Sequence, residues 1–119
     1  MNIHKKRELG NLGEQIAVEY LEKNRYRIIK RNFYCRQGEI DIIAKDKKEI
    51  VFIEVKTRSN ISFGEPSEAV NSIKQKHIYK AAQYFLFKTN SLDMLIRFDV
   101  IEVLIKEGKF NIKHIKQII

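Results

Sequence analysis

The sequence has very few of the residues that cross-link, interrupt or anchor a protein chain. It contains one cysteine and one proline, and no apolar run approaches the ~20 residues that a membrane-spanning helix needs. Because Cys35 has no second cysteine to pair with, an internal disulfide is excluded and we expect a reducing, cytoplasmic compartment. The basic N-terminus is not followed by an apolar segment, so we expect no signal peptide.

The motifs of several common chemistries are also missing. The sequence has no Walker loop, no G-x-G-x-x-G and no G-x-S-x-G, so nucleotide hydrolysis, dinucleotide redox chemistry and serine-esterase chemistry lack their usual supports. His4, His77 and His114 show no metal-ligand spacing with one another or with Cys35, which argues against a zinc site. No repeat and no Pro/Gly/Ser-rich linker divides the 119 residues, which predicts one domain over residues 1–119.

Charge is what the sequence has in excess. Charged residues make up 32% of the chain and hydrophobic residues 44%, a balance typical of a globular protein and not of a disordered one. The formal net charge of +8 favours a polyanionic partner, and nucleic acid is the first candidate. The basic residues are spread over several predicted elements and do not share one amphipathic helix, which argues against binding to a membrane surface.

Two β-like runs are joined by a short polar turn. The runs span Gly38–Lys45 and Ile50–Lys56, and the residues between them, Asp46–Glu49, predict a hairpin connection. If the turn is centred between Lys47 and Lys48, residues whose numbers sum to 95 face each other. A turn of two or four residues gives this register, whereas a three-residue turn would shift it.

In this register the polar side chains of the hairpin converge on one face. Asp41 lies opposite Glu54, and Glu39 lies opposite Lys56. The residues expected on the other face are all apolar: Ile40, Ile42, Val51, Ile53 and Val55. Because like charges directly opposite each other destabilise a sheet, the Asp41/Glu54 pair needs a proton, a cation or a basic neighbour.

A divalent metal ion is the functional explanation of this acidic pair. Hard cations such as Mg²⁺ take oxygen ligands, commonly one or two carboxylates, and leave their other positions to water and substrate phosphate. Lys56 lies two residues beyond Glu54 on the same face and would reach the same place. The structural alternative is a cross-strand salt bridge on a solvated sheet face, and for a lone E-x-K pattern it is the more common explanation.

The residues around the pair resemble the signature of a known family. The stretches Gly38–Ala44 and Val51–Arg58 look like the central motif of the YraN family of small bacterial proteins. That family is placed in the PD-(D/E)xK, restriction-endonuclease-like superfamily and is distantly similar to archaeal Holliday junction resolvases. Gly38 stands where the superfamily name has a proline, which is ordinary for the family. The resemblance covers most of the chain and includes Gly13-Glu14, Lys74-Gln75 and Arg97–Val100.

The resemblance implies a metal-dependent nuclease and a set of site residues. It implies that Asp41, Glu54 and Glu14 hold Mg²⁺ or Mn²⁺. Lys56 would then orient the attacking water or stabilise the charge that grows on the phosphate oxygens. On the helical wheel Glu14 and Glu19 both flank the apolar stripe of the first helix, so periodicity does not choose between them. The family resemblance indicates Glu14.

Four further residues are predicted to support the site or to bind nucleic acid. Glu39 lies on the active face, although pairing with a lysine or an arginine would explain it structurally. The resemblance implies a polar role for Gln75, whereas a capping box with Ser72 explains the same residue equally well. Arg58 and Lys74 are expected to contact phosphate. Because Arg58 has no local acidic partner in the sequence, we expect its side chain to be exposed.

Hydrophobic periodicity and turn residues predict two helices and five strands. The predicted order is helix Lys5–Asn24, strands Tyr26–Phe33, Gly38–Lys45 and Ile50–Lys56, loop Arg58–Asn71, helix Ser72–Lys88, and strands Leu95–Leu104 and Lys109–Ile118. This order gives an α/β fold, an αβββαββ sandwich with a mixed central sheet. It agrees with the restriction-endonuclease-like core that the resemblance implies.

Sequence and resemblance together predict a metal-dependent endonuclease that hydrolyses phosphodiester bonds in structured nucleic acid, DNA in preference to RNA. The alternative is a nucleic-acid-binding module of the same fold without turnover. A third hypothesis, a scaffold that binds another protein, has only the positive charge in its favour. Cleavage of a junction would favour a homodimer, by analogy, because two strands are cut by two equivalent sites.

Overall fold

The computed structural model of the protein describes residues 3–59 and 72–118, which contain two helices and five strands. The elements are α1 (Ile3–Lys23), β1 (Arg27–Cys35), β2 (Gly38–Asp46), β3 (Glu49–Arg58), α2 (Ser72–Lys88), β4 (Leu95–Lys106) and β5 (Lys109–Ile115). Most of the predicted loop before α2, with Gly64 and Pro66, lies outside the described residues, and so does the Ser72 side chain of the predicted capping box. Neither described helix is long and apolar enough to cross a membrane.

All five strands form one sheet in the order β1-β2-β3-β4-β5. Neighbouring strands are antiparallel except β3 and β4, which are parallel. A parallel pair needs a crossover connection, and α2 lies in that crossover. The predicted αβββαββ order and mixed sheet are therefore confirmed. The largest displacement of a strand end is in β5, which ends at Ile115 and not at Ile118.

Apolar side chains cover both faces of the sheet and hold one helix on each. On one face, α1 and strands β2 to β4 contribute Ile16, Ala17, Leu21, Ile42, Val51, Ile53, Ile101 and Val103. On the other face, α2 and the same strands contribute Ile43, Phe52, Ile78, Ala81, Phe85, Phe98 and Val100. Each large apolar side chain that is fully buried contributes about 1.5–3 kcal/mol relative to its exposed state. These two apolar layers hold the strands and both helices together.

A buried charge network ties the hairpin turn to β4. The guanidinium of Arg97 contacts Asp46 at 3.1 Å and Glu49 at 3.4 Å, on the two sides of the turn. Arg97 Nε also donates a 2.9 Å hydrogen bond to Asp99, and His114 Nε2 lies 2.7 Å from the same carboxylate. Although burial opposes it, the hydrogen bonds from His114 and Arg97 hold the pKa of Asp99 below its usual value. The network was not predicted from the sequence, because Asp46, Arg97 and His114 lie on separate elements.

The β2–β3 register is the one predicted from the turn. Ile42 pairs with Ile53, and Asp46 pairs with Glu49, so the numbers of paired residues sum to 95. Two residues form the turn itself, and Lys47 adopts a φ of 57° there. The paired ladder covers residues 42–46 and 49–53.

Side-chain alternation breaks next to Asp41. The expectation that Ile40 shares a face with Ile42 is wrong, because Ile40 packs with Ile43 on the α2 face while Ile42 lies on the α1 face. The β1–β2 register pairs Arg31 with Ile42 and Phe33 with Ile40, and Asn32 between them has a φ of 51°. A residue in the left-handed region interrupts the regular pleat of a strand. The sheet is therefore irregular at the position of Asp41.

A close contact between α1 and β3 sets the distance of the first helix from the sheet. A Cβ atom at Gly13 would lie 1.9 Å from Thr57 Oγ1 and 2.8 Å from Thr57 Cβ. Only glycine permits this approach, which brings the next residue, Glu14, to the same groove as Asp41. A Cβ atom at Gly10, about one turn earlier, would meet no atom within 4 Å.

Gly13→Ala should destabilise the protein by about 1–3 kcal/mol, because overpacking against Thr57 outweighs the gain in helix propensity. The measurement is the free energy of unfolding in urea. Gly10→Ala is the matched control and should be neutral or stabilising by up to about 1 kcal/mol. Equal effects of the two substitutions would show that Thr57 does not limit the approach of the helix.

Candidate active site

A groove with a volume of about 690 Å³ opens between α1 and strands β1 to β3, and α2 contributes one lining residue. Its charged lining residues are Glu14, Glu39, Asp41, Glu54, Arg7, Lys56, Arg58 and Lys74. The groove thus brings together every residue that the sequence assigned to the site except Gln75. Gln75 is half-buried on α2 and is not among the lining residues that the structure describes.

Asp41 and Glu54 both line this groove, close enough that the charge of Asp41 affects the ionisation of Glu54. Asp41 Oδ2 also accepts a 2.8 Å hydrogen bond from the backbone N–H of Val55. Burial raises the pKa of Asp41. Burial, together with the neighbouring Asp41 charge, raises the pKa of Glu54 to about 7. Because burial disfavours the charged form of both carboxylates, the pair needs a proton or a cation to compensate it.

Lys74 supplies a positive charge to the pair from α2. Its ammonium group forms an ion pair with Glu54 Oε1. The Glu54 side chain is 11% exposed and the Lys74 side chain is 44% exposed, so a nearly buried anion meets a cation that still faces solvent. The sequence predicted Lys74 as a phosphate contact and missed this pairing, because residues on separate elements give no local spacing signal.

Helix α1 contributes Glu14, and not Glu19, to the groove. Glu19 is exposed and lies beside a different, smaller groove near the C-terminal end of α1. Glu14 Oε1 is buried, has no hydrogen-bond donor and lies 3.8 Å from Arg31 Nε. Burial and the nearby charge of Asp41 raise the pKa of Glu14. A buried carboxylate oxygen without a donor is available to a cation or to an ordered water.

The donor set fits a hard divalent cation with few protein ligands. Among the residues described, no group of three or more His, Cys, Asp and Glu side chains is arranged to hold a metal ion. The groove presents instead the Asp41–Glu54 pair, with Glu14 as a separate neighbour. Mg²⁺ and Mn²⁺ commonly bind one or two carboxylates and complete their coordination with water and phosphate. The pair therefore suits these ions better than a softer metal.

Lys56 and Glu39 line the same groove, each two residues beyond the acidic pair on its strand. Lys56 is half-buried whereas Glu39 is exposed. Their expected pairing falls beyond the ladder, whose last pair is Ile42 and Ile53. On its other side Glu39 is the register partner of Tyr34 in β1. Lys56 is thus placed beside the carboxylates by the strand itself.

Arg58 is more enclosed than predicted. The expectation of an exposed side chain is wrong, because the Arg58 side chain is 13% exposed and its Nε lies 3.6 Å from Oε2 of Glu102 on β4. The Glu102 side chain is fully buried, and neither of its carboxylate oxygens has a hydrogen bond. The sequence did hold a signal, since Glu102 interrupts the apolar run of β4 and a charge in a buried strand requires a partner.

The raised pKa of Glu54 predicts a pH-dependent stability for the metal-free protein. Folding raises this pKa from 4.5 to about 7, so its stabilising effect is complete below the lower value and is lost as the pH rises through the higher one. In chelator, the free energy of unfolding should fall by about 1–3 kcal/mol between about pH 5 and pH 8. Denaturant unfolding at a series of pH values measures this change.

Glu54→Gln should flatten that pH dependence, because the titrating group is gone. Glu22→Gln, which changes an exposed glutamate of α1, is the matched control and should leave the dependence as it is. An unaltered slope in Glu54→Gln would show that this carboxylate does not titrate with the raised pKa.

Comparison with known proteins places the chain in a family. It matches the Uncharacterised protein family UPF0102 over residues 13–103. A UPF0102 protein of Caldicellulosiruptor saccharolyticus is 53% identical over 98 residues, which are 82% of this chain and 83% of the relative. A UPF0102 protein of Geobacter metallireducens is 51% identical over 115 residues, 97% of this chain and 93% of the relative. The matched residues span Gly13, Glu14 and the whole hairpin, and the chain belongs to UPF0102, the YraN family.

Proposed function

We propose that this protein is a cytoplasmic, metal-dependent endonuclease that hydrolyses phosphodiester bonds in structured nucleic acid, DNA in preference to RNA. The observation that carries the proposal is the Asp41–Glu54 pair, whose partly buried carboxylates line an open groove together with cationic side chains. A buried acidic pair destabilises a fold unless a cation or a proton compensates it. The net charge of +8 supports a polyanionic substrate.

Asp41 and Glu54 would hold Mg²⁺ or Mn²⁺, and Glu14 would contribute through its unsatisfied Oε1. Bound there, the ion would polarise the scissile phosphate and lower the pKa of a water molecule. The carboxylates are held in position before an ion binds. Asp41 accepts the Val55 N–H at 2.8 Å, and Glu14 follows the glycine that brings α1 against β3.

The basic residues bind and orient the substrate in this proposal. Lys56 follows Glu54 on β3, where it orients the attacking water or stabilises charge on the phosphate oxygens. Lys74 neutralises Glu54 in the metal-free protein, and its partly exposed ammonium group can bind a substrate phosphate once a cation takes over that role. Arg58, anchored by the buried Glu102, adds positive charge to the same wall.

The second candidate is a nucleic-acid-binding module without turnover. The ion pair between Lys74 and Glu54, with the hydrogen bond from Val55 to Asp41, compensates much of the acidic pair in the absence of metal. This arrangement favours a structural role for the carboxylates. If junctions are the substrate of the nuclease, a homodimer would present two equivalent sites to the two strands.

With Mg²⁺ or Mn²⁺ the protein should cleave at least one substrate in a panel of flap, fork, junction, single-stranded and duplex DNA and matched RNA. Asp41→Asn, Glu54→Gln and Lys56→Ala should each reduce the cleavage rate by at least about 100-fold, because each removes a ligand or a charge that acts on the reacting phosphate. Gel assays under single-turnover conditions measure the rates.

Thermal melts separate lost chemistry from lost folding. In chelator, Asp41→Asn should be as stable as the wild type or slightly more stable, because neutralisation relieves the repulsion between the carboxylates. Mn²⁺ should raise the melting temperature of the wild type more than that of Asp41→Asn. No cleavage of any substrate, together with clear destabilisation by Asp41→Asn, would favour the module without turnover.

Binding of nucleic acid should weaken steeply as salt is added, because the protein displaces counterions from phosphates. Lys74→Gln and Arg58→Ala should weaken binding alike across sequences, and each should reduce the slope of log K against log salt by about 1. Lys80→Gln, on an exposed position of α2 outside the described groove lining, is the matched control and should have a smaller effect. Failure to bind any nucleic acid at low salt would refute both candidate functions.

A further inference from the structure

Tyr34 differs in chemistry from the other residues that line the groove. It is 69% exposed and lies on β1, an edge strand of the sheet. Among the described lining residues it is the single aromatic one. An exposed aromatic ring keeps a large apolar surface in water, and covering that surface with a ligand is favourable. The ring is therefore a candidate contact for a flat, apolar part of the substrate.

The position of Tyr34 relates it to the acidic pair. In the β1–β2 register it faces Glu39, two residues from Asp41. The Glu39 carboxylate raises the pKa of the Tyr34 hydroxyl, and Glu14 and Asp41 add smaller effects of the same sign. The hydroxyl thus lies within electrostatic reach of the proposed metal ligands. A substrate group that covers the ring would be adjacent to the phosphate held at those ligands.

The two walls of the groove differ in charge. The wall formed by α1, β1 and β2 carries Glu14, Glu39 and Asp41 with one cation, Arg7, and also Tyr34, whereas the wall formed by β3 and α2 carries Glu54 with three cations, Lys56, Arg58 and Lys74. A phosphate is attracted to the three cations of the second wall. A nucleobase is uncharged and aromatic, so it avoids the repulsion that a second phosphate would meet at the first wall.

We propose that Tyr34 stacks on an unpaired nucleobase next to the scissile phosphate, so that the substrate of this site is nucleic acid with unpaired nucleotides and not continuous duplex. This inference rests on the proposed function and deepens it. Inside a duplex, both faces of each base are covered by the neighbouring pairs. A tyrosine ring can stack only on a base that is single-stranded, splayed at a branch point or turned out of the helix.

The test compares binding of single-stranded DNA with binding of a blunt-ended, fully paired duplex of the same sequence. Binding is measured with Ca²⁺ in place of Mg²⁺ to suppress turnover. Tyr34→Ala should weaken single-strand binding by about 5- to 100-fold and duplex binding by less than about 2-fold. Tyr34→Phe should behave as the wild type, because the ring and not the hydroxyl makes the contact.

A 2-aminopurine base in the single strand gives a second readout, since its fluorescence is quenched when an aromatic ring stacks on it. Wild type and Tyr34→Phe should quench the probe, and Tyr34→Ala should not. Phe87→Ala is the matched control, because Phe87 is 70% exposed and lies on α2 outside the described groove lining. It should leave both affinity and quenching unchanged.

Several results would overturn the inference. Equal loss for single strand and duplex in Tyr34→Ala, no loss in either, or the same loss in Tyr34→Phe would each show that base stacking is not the role of the ring. These outcomes are independent of cleavage. If base stacking is absent but cleavage is observed, the inference is refuted and the proposed nuclease function stands. If stacking is observed without cleavage of any substrate, the inference stands and the binding module is favoured. If neither DNA binds, both the stacking inference and the proposed nuclease function are refuted.

Discussion

The pairing of β2 with β3 in a single register is the constraint on which the candidate site depends. Asp41 and Glu54 are the next residues beyond the last pair of the ladder, Ile42 and Ile53, and both lie in the groove. The network around Arg97 holds this register, because its guanidinium contacts both Asp46 and Glu49, the last paired residues before the turn. The contacts of Arg97 at the turn of the hairpin thus support the register that brings Asp41 and Glu54 to the groove.

Buried charge in this fold is compensated to different degrees from one place to another. Around Arg97 the side chains are joined by hydrogen bonds between opposite charges, as expected of a cluster that stabilises a fold. In the groove, Glu14 keeps a buried oxygen without a donor, and the pKa of Glu54 is raised to about 7. Local rules of sequence and packing are commonly violated at functional sites. This contrast is the reason to propose a ligand for the groove and not for the network.

Local sequence patterns were enough to predict the helices and strands, their order and the hairpin register, because periodicity and turn length depend on only a few neighbouring residues. They were enough to bring Asp41 and Glu54 together. They failed at Ile40, because the break in the pleat depends on the backbone of a residue in the neighbouring strand. They also missed the ion pair of Lys74 with Glu54 and that of Glu102 with its arginine, because these pairs join elements that only the tertiary fold brings together. Glu14 required the family resemblance, since the helical period allowed two glutamates.

The parts of the groove are joined by chain connections of very different length, and this has a consequence for the order of folding. A two-residue turn joins β2 to β3, whereas α2 and its Lys74 come after a long connection and belong to the crossover that leads to the parallel strand β4. Short connections close at lower entropic cost than long ones, which favours early formation of the hairpin. In that order Asp41 and Glu54 would meet before Lys74 arrives, so we expect formation of the hairpin to depend on pH and the later docking of α2 to depend on salt.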